Sequence, residues 1–457
     1  MSTPVQGAGE AGGAADTIRS KRYLALLLLA AAIGVPISAL AYFFLYLVNR
    51  LQHWLFITLP HGLGFHGEPV WWPVPLLAVA GVLVAAAIRY LPGQGGHSPA
   101  DGFHAGGAPV PSELPGVILA ALATLALGVV LGPEAPLIAI GGGLAICVVR
   151  LSRRPIPASA EKVVAAAGSF AAIATLLGSP LLGGVLLMEA VGLGGTALEL
   201  VLMPGLLAAG VGALVFTGLD AWTGLGTFSL KIPNVPHVGR PTISEFGWAI
   251  VIGLAAALLG TAIRRLALEI RPRVEPRMLL LTPLVGLVIG GLAVAYAEGS
   301  GRSTSEVLFS GQSALPGLVA HAGSYTVAVL LLLIACKGLG YSLSLSSFRG
   351  GPVFPSMFLG AAGGLAMSHL PGLTTVAGMA MGIGAMCAVM LRLPITAVLL
   401  ATLLFYADGV AVMPLVIVAV VVAYVSSSWM SPEAAPKARS APPKEPVPAA
   451  SGSPASS

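Results

Sequence analysis

Apolar residues run in long blocks along this chain, broken by short polar or Gly- and Pro-rich punctuation. The blocks Tyr23–Val48, Val74–Ile88, Phe246–Ile263, Met278–Ala297, Tyr325–Ala335 with its neighbours, and Val410–Val425 reach or approach the ~20 residues that carry a helix across a bilayer. Little of the sequence alternates with period two, which argues against a membrane β-barrel. The pattern predicts an all-α polytopic bundle. Several blocks are too short or too broken to be plain spans. Broken backbone survives at membrane depth only where it is buried in protein or lines a cavity, as in transporters with discontinuous helices.

Composition agrees with this class. Of 457 residues, 56% are hydrophobic and 9% charged, against ~25% charged in an ordinary soluble domain. The chain holds 59 Gly and 36 Pro, many inside apolar runs. Residues 1–18 and 431–457 are rich in Gly, Ala, Ser and Pro and lack the apolar area to order themselves. Function is therefore expected within residues 19–430. The first apolar block lacks the cleavage pattern of a signal peptide and is too long for one.

Charge changes the picture only by giving an orientation. Basic groups stand at Arg19, Lys21 and Arg22; at Arg150, Arg153 and Arg154; at Arg264, Arg265, Arg271, Arg273 and Arg277; and at Lys437, Arg439 and Lys444. Positive residues favour the cytoplasmic side, so both termini are expected there, and His61–Trp72, with the aromatics Trp71 and Trp72, outside. These anchors account for the net charge of +5 and give no reason to expect a nucleic-acid partner. Cys147, Cys336 and Cys387 lie in apolar sequence without C-x-x-C spacing, so neither a disulfide nor a metal site is expected.

Two distant stretches resemble each other. Gly132-Pro133-Glu134-Ala135-Pro136 and Gly351-Pro352-Val353-Phe354-Pro355 are each followed by four apolar or small residues and a Gly (Gly141 and Gly360). Downstream, Pro180 and Pro394 each open an apolar run. Corresponding prolines are 219 (355 − 136) and 214 (394 − 180) residues apart. The near-constant offset divides the membrane part into halves of about 19–217 and 243–430, inverted or parallel according to the number of spans in each. Pro favours the first turn of a helix, where its missing N–H costs nothing. Each cluster therefore reads as a loop feeding a helix N-terminus, whose free N–H groups and positive dipole end attract anions. Two such termini meeting near the midplane would bind a small anion weakly enough to release it. A Lys or Arg in the same place would hold it too firmly.

With these loops the chain resembles the CLC family of chloride channels and proton/chloride antiporters over nearly all of residues 19–430. The family's G-x-E-x-P loop is similar to Gly132–Pro136, followed by Gly141-Gly142-Gly143. Its G-x-F-x-P loop is similar to Gly351–Pro355, preceded by Lys337 and Ser346 at familiar spacing. Its G-S-G-I-P loop is similar to Gly95-Gly96-His97-Ser98-Pro99. The resemblance implies a CLC-like bundle of tilted and broken helices in two inverted repeats, chloride as the transported ion, no cofactor, and a homodimer with one pore per subunit. It implies a multi-pass bacterial-type plasma-membrane protein. By the same resemblance, the anion would be bound by Gly95, Gly96, His97, Ser98, Pro99, Gly132, Pro133, Ala135, Gly351, Pro352, Val353 and Phe354.

The departures bear on mechanism. The family's pore serine falls on Gly96, with Ser98 nearby. Its motif Phe falls on Val353, with Phe354 next. Its pore tyrosine has no counterpart in Ser431-Pro432-Glu433-Ala434-Ala435, and the nearest, Tyr424, lies inside the preceding span. The antiporters' inner proton-transfer glutamate falls on Ala190, beside Glu189, which leaves Glu189 as a possible proton-access residue or a helix-end charge.

Glu134 is the first candidate. It is the only acid between Glu113 and Glu161, and an ionisable group in an apolar stretch is costly and functional by default. The resemblance implies a gate: the carboxylate occupies the anion's own site until protonation releases it. The expected function is a CLC-type channel or weakly proton-coupled anion transporter. A stoichiometric proton/chloride antiporter is the alternative, and the loops differ from the fluoride-exporter pattern. An intramembrane enzyme is a remote alternative, since H-E-x-x-H, G-x-S-x-G and paired intramembrane Asp are all missing, and Ser98 and His97 have no obvious orienting acid beyond Asp101.

Overall fold

The computed structural model of the chain describes residues 19–103, 107–151, 157–192, 195–230, 232 and 241–430. The terminal segments 1–18 and 431–457, with Arg153, Arg154, Lys437, Arg439 and Lys444, lie outside these residues. Fourteen helices of ten or more residues are present among the described residues. The first half holds α1 (Lys21–His53), α2 (Pro73–Tyr90), α3 (Leu114–Ala126), α4 (Glu134–Leu151), α5 (Ala158–Ala172), α6 (Pro180–Val191) and α7 (Gly195–Thr223). The second holds α8 (Ile243–Val274), α9 (Met278–Ser300), α10 (Val327–Ser347), α11 (Val353–Met367), α12 (Thr375–Leu391), α13 (Pro394–Leu404) and α14 (Tyr406–Met430). The all-α polytopic bundle read from the apolar blocks is the fold observed.

Local sequence accounts for most helix starts. Ser20 caps α1 through its hydroxyl, which accepts from the N–H of Tyr23 at 3.1 Å. Thr242 and Glu245 form a reciprocal capping box at α8. Pro73, Pro180 and Pro394 occupy the first position of α2, α6 and α13, where a missing N–H is harmless. Helix lengths then divide into two classes. At ~1.5 Å per residue, α13 with 11 residues and α11 with 15 fall well short of a ~30 Å hydrocarbon core. They are the broken helices that the punctuation predicted.

The halves repeat each other in packing as well as in sequence. α4 lies on α5 as α11 lies on α12, α1 on α7 as α8 on α14, and α5 on α7 as α12 on α14. The first of these crossings is made close by glycine. A Cβ at Gly141 would strike the carbonyl of Gly168, and one at Gly360 would strike that of Gly382, so the backbones touch directly. These are equivalent positions at the same two offsets seen in the sequence. Between halves, equivalent elements meet: α2 packs on α9, and α6 on α13. A two-fold relation between inverted copies requires such self-pairing.

One expectation changes. Trp72, expected as an exposed interfacial aromatic, is covered by the protein. It is buried, and its indole N–H donates to the Leu55 carbonyl at 2.9 Å, whereas Trp71 remains exposed. A buried indole needs an acceptor for its N–H, and the π-helical stretch Trp54–Thr58 that continues α1 begins beside one.

Candidate functional site

The two G-P-x-x-P loops meet. Gly132 and Gly351 exchange backbone hydrogen bonds in both directions, an isolated antiparallel bridge inside an otherwise helical protein. α4 begins at Glu134 and α11 at Val353, each directly after its loop. The carboxylate of Glu134 lies in the space between them. It is 1% exposed, and its Oε1 accepts the N–H of Phe354 at 2.8 Å. The N–H groups of Val353 and of Glu134 itself also lie against it. Its Oε2 is buried without a hydrogen-bond partner. Glycine on both sides leaves the carboxylate this position, because a Cβ on Gly132 or Gly351 would displace it. A carboxylate here sits where the free N–H groups of a helix terminus would receive any small anion.

Residues behind the loops fix their orientation. Tyr341 on α10 is buried, and its hydroxyl donates to the Pro352 carbonyl at 2.9 Å. With that carbonyl engaged, the next two N–H groups are left facing Glu134. Lys337, one turn earlier on the same helix and fully buried, directs its ammonium at the carbonyls of Glu306, Val307, Leu308 and Phe309, at 3.0 to 3.3 Å. Four carbonyls satisfy a buried ammonium that has no carboxylate against it. They also tie the 306–309 segment to α10, and Phe309 in turn bonds to the Gly128 carbonyl just ahead of the first loop.

Two cavities reach this centre. One, of about 280 Å³, includes Pro133, Asn49, Gln52, Phe309 and Gln312 on its wall and carries no charged side chain. The other, of about 50 Å³, is lined by Gly95, Gly96, His97, Ala135, Arg349 and Gly350 among others. Pro133 and Ala135 flank Glu134 in the chain, so each cavity touches one neighbour of Glu134.

The third loop lies on the second cavity, but it does not open a long helix. Pro99–Asp101 is a single three-residue 3-10 turn, ended by Gly102 with φ of 100°. Asp101 there pairs with Arg271, which draws the turn toward the corner where α8 passes into α9. The Ser98 hydroxyl is buried without a partner. Thus Gly95, Gly96 and His97 share a wall with Ala135, while Gly132, Gly351, Pro352, Val353 and Phe354 gather around Glu134.

Glu189 lies elsewhere. Its carboxylate accepts the N–H of Ile395 at 3.0 Å, and the N–H and hydroxyl of Thr396 at 2.8 and 2.7 Å, capping α13 from α6. Tyr424 stacks near Arg392 rather than at the loops. Two residues around the centre carry no signal in the motifs. Tyr341 is one polar residue among several on α10. Arg349 precedes Gly350 and Gly351, and nothing in its neighbours tells that it faces a cavity shared with Gly95, more than 250 residues away in sequence.

Comparisons with known proteins identify the family and the fold. A family model described as voltage gated chloride channel matches residues 76–428. YfeO, a protein of Escherichia coli O7:K1 (strain IAI39 / ExPEC) assigned by name to ion transport, is 30% identical over 358 residues, covering 77% of this chain and 81% of YfeO. YfeO of Escherichia coli O1:K1 / APEC is 31% identical over 357 residues with the same coverage. Among solved structures, a slow cyanobacterial Cl−/H+ antiporter superposes with a TM-score of 0.70 at 19% identity, covering 89% of this chain and 95% of the other. A CLC-type fluoride/proton antiporter gives a TM-score of 0.64 at 20% identity, covering 88% and 95%. The chain belongs to the voltage-gated chloride channel (CLC) family.

Proposed function

We propose that this protein carries small inorganic anions, chloride first among them, along a path through the Glu134 centre with weak proton coupling. One observation carries the reading: a buried carboxylate occupies a pocket of main-chain N–H groups where two equivalent loops meet. An ionised Glu134 competes with the anion for those donors, and protonation frees them. The residues around Glu134 and on the 95–99 loop are the proposed anion ligands. The two cavities supply the approaches.

Weak coupling is supported by Ala190, which cannot carry a proton, and by Glu189, whose carboxylate is engaged at the N-terminus of α13. The second reading is a stoichiometric proton/chloride antiporter, favoured by the fold shared with an antiporter of that description. We take the side bearing Arg271, Arg273 and Arg277 as cytoplasmic, in a bacterial plasma membrane with both termini inside. A homodimer is proposed through α6 and α13, which pack on each other and expose Leu181, Ile395 and Leu403. Chloride efflux from liposomes holding the purified protein, with simultaneous pH recording, tests the function. Flux with little proton movement is expected. Chloride-driven proton uptake at a fixed ratio would favour the antiporter, and no flux would defeat both.

A further inference from the structure

Resting on the reading of the Glu134 centre as an anion path, we infer that Arg349 is a specificity-determining residue of that path: a fixed side-chain cation on the wall of the smaller cavity that holds an anion next to Glu134.

Four observations carry this. Arg349 lines the same cavity as Ala135 and Gly350, the neighbours of Glu134 and Gly351. Its side chain is anchored, with Nε donating to the Gln94 carbonyl and Nη1 to the Phe348 carbonyl, both at 3.2 Å. The Gln94 carbonyl is turned toward it by a left-handed backbone, φ 51° and ψ 31°, a conformation that a non-glycine residue adopts only at a cost. A Cβ on Gly95 would stand 3.5 Å from the Arg349 Cγ, so the loop packs along the Arg349 stem.

Charge balance gives the direction. Both contacts of Arg349 are neutral carbonyls. Asp101 and Glu275 pair with Arg271 and act on Arg349 only at longer range, together with the opposing charge of Arg271. A half-buried guanidinium with no carboxylate in contact keeps N–H donors open to an anion from solution. The cavity volume of about 50 Å³ exceeds the ~10–15 Å³ that a single water needs, leaving room for a halide with little hydration. The two carbonyls take up part of the donor capacity of the guanidinium. Such a tethered Arg attracts the ion without enclosing it, so the ion can leave. His97 is the other titratable group on this wall. The larger cavity has no charged side chain, so the two approaches differ in their attraction for anions.

The test uses the full-length protein in liposomes, with chloride as the probe supplied from either side. In Arg349→Gln, the chloride concentration giving half-maximal flux from the smaller-cavity side should rise roughly ten-fold, with little change from the other side. Arg349→Lys, which keeps the charge but not the planar fork, should fall between Gln and wild type. Glu134→Gln should instead change the pH profile. An Arg349→Gln protein with wild-type half-saturation from both sides overturns the inference while leaving the anion-path reading intact. A wild-type protein that carries no chloride defeats the reading and the inference together. Bromide-soaked crystals of the wild type provide a measurement that does not depend on any variant folding. An anomalous peak within contact of the Arg349 guanidinium supports the site, and a peak elsewhere in the path with none there overturns it.

Discussion

The Gly132 N–H donates to the Gly351 carbonyl at 2.7 Å and the Gly351 N–H to the Gly132 carbonyl at 2.6 Å, and the Glu134 carboxylate rests against both. The bridge fixes the separation of two helix N-termini at the width of one carboxylate or one small ion.

Exchanging Glu134 for Gln therefore tests the gate directly. A neutral amide has no electrostatic attraction to the N–H groups that hold the carboxylate. We expect Glu134→Gln to raise chloride flux at neutral pH and to remove most of its pH dependence. Acid should open the wild-type path, so the variant at neutral pH should resemble wild type at low pH. Efflux measured at several pH values for both proteins decides it, and a variant that keeps the wild-type profile would remove Glu134 from the role.

A methyl group on either bridging glycine should act from the other side of the same contact. In Gly351→Ala the new Cβ occupies the space of the carboxylate. Overpacking of this kind costs ~1–3 kcal/mol, relieved if the carboxylate swings out. The expected result is a lower unfolding temperature together with flux less sensitive to pH. Unaltered stability and pH profile would mean that the loops yield instead.

Lys337 makes a separable prediction, because it stabilises the 306–309 segment without reaching Glu134. Lys337→Met would orphan carbonyls that now share one ammonium, at ~1–3 kcal/mol for a buried unsatisfied group. Thermal unfolding in detergent should shift down by a few degrees, with the pH profile of residual flux unchanged. An equally stable variant would show that those carbonyls find other donors.

Glu189→Gln should behave as the loss of a helix cap. The charge at the N-terminus of α13 is worth ~0.3–1 kcal/mol, so a small loss of stability is expected with the ratio of protons to chloride unchanged. Simultaneous chloride and pH recording would detect the opposite case, in which proton movement falls with the carboxylate.

The architecture was legible because proline, glycine and apolar length speak locally. Pro180 and Pro394 announce helix starts, and the spacing of Gly141 and Gly360 from their loops announces a repeat. Glu134 stood out through the expense of an acid in an apolar stretch. What could not be read was any property that depends on which segments meet. The 95–99 loop shows nothing in its residue types of the single turn that follows it, ended by Gly102 and by the pairing of Asp101 with Arg271. Trp72 looked like an exposed interfacial aromatic until the backbone of α1 supplied an acceptor. Tyr341 and Arg349 act through carbonyls, of Pro352 and Gln94, whose directions no pattern of residue types encodes.

The reciprocal bridge also bears on how the molecule is made. Its two partners lie 219 residues apart (351 − 132), so the first half enters the membrane with the Glu134 carboxylate lacking the donor that Phe354 will later provide. Loop closure over such a length is slow, and an acid held in lipid without partners is costly. The centre is thus the last region to mature, completed only when the second half docks. The two halves made as separate chains should each insert, and the buried environment of Glu134 should return only on their association.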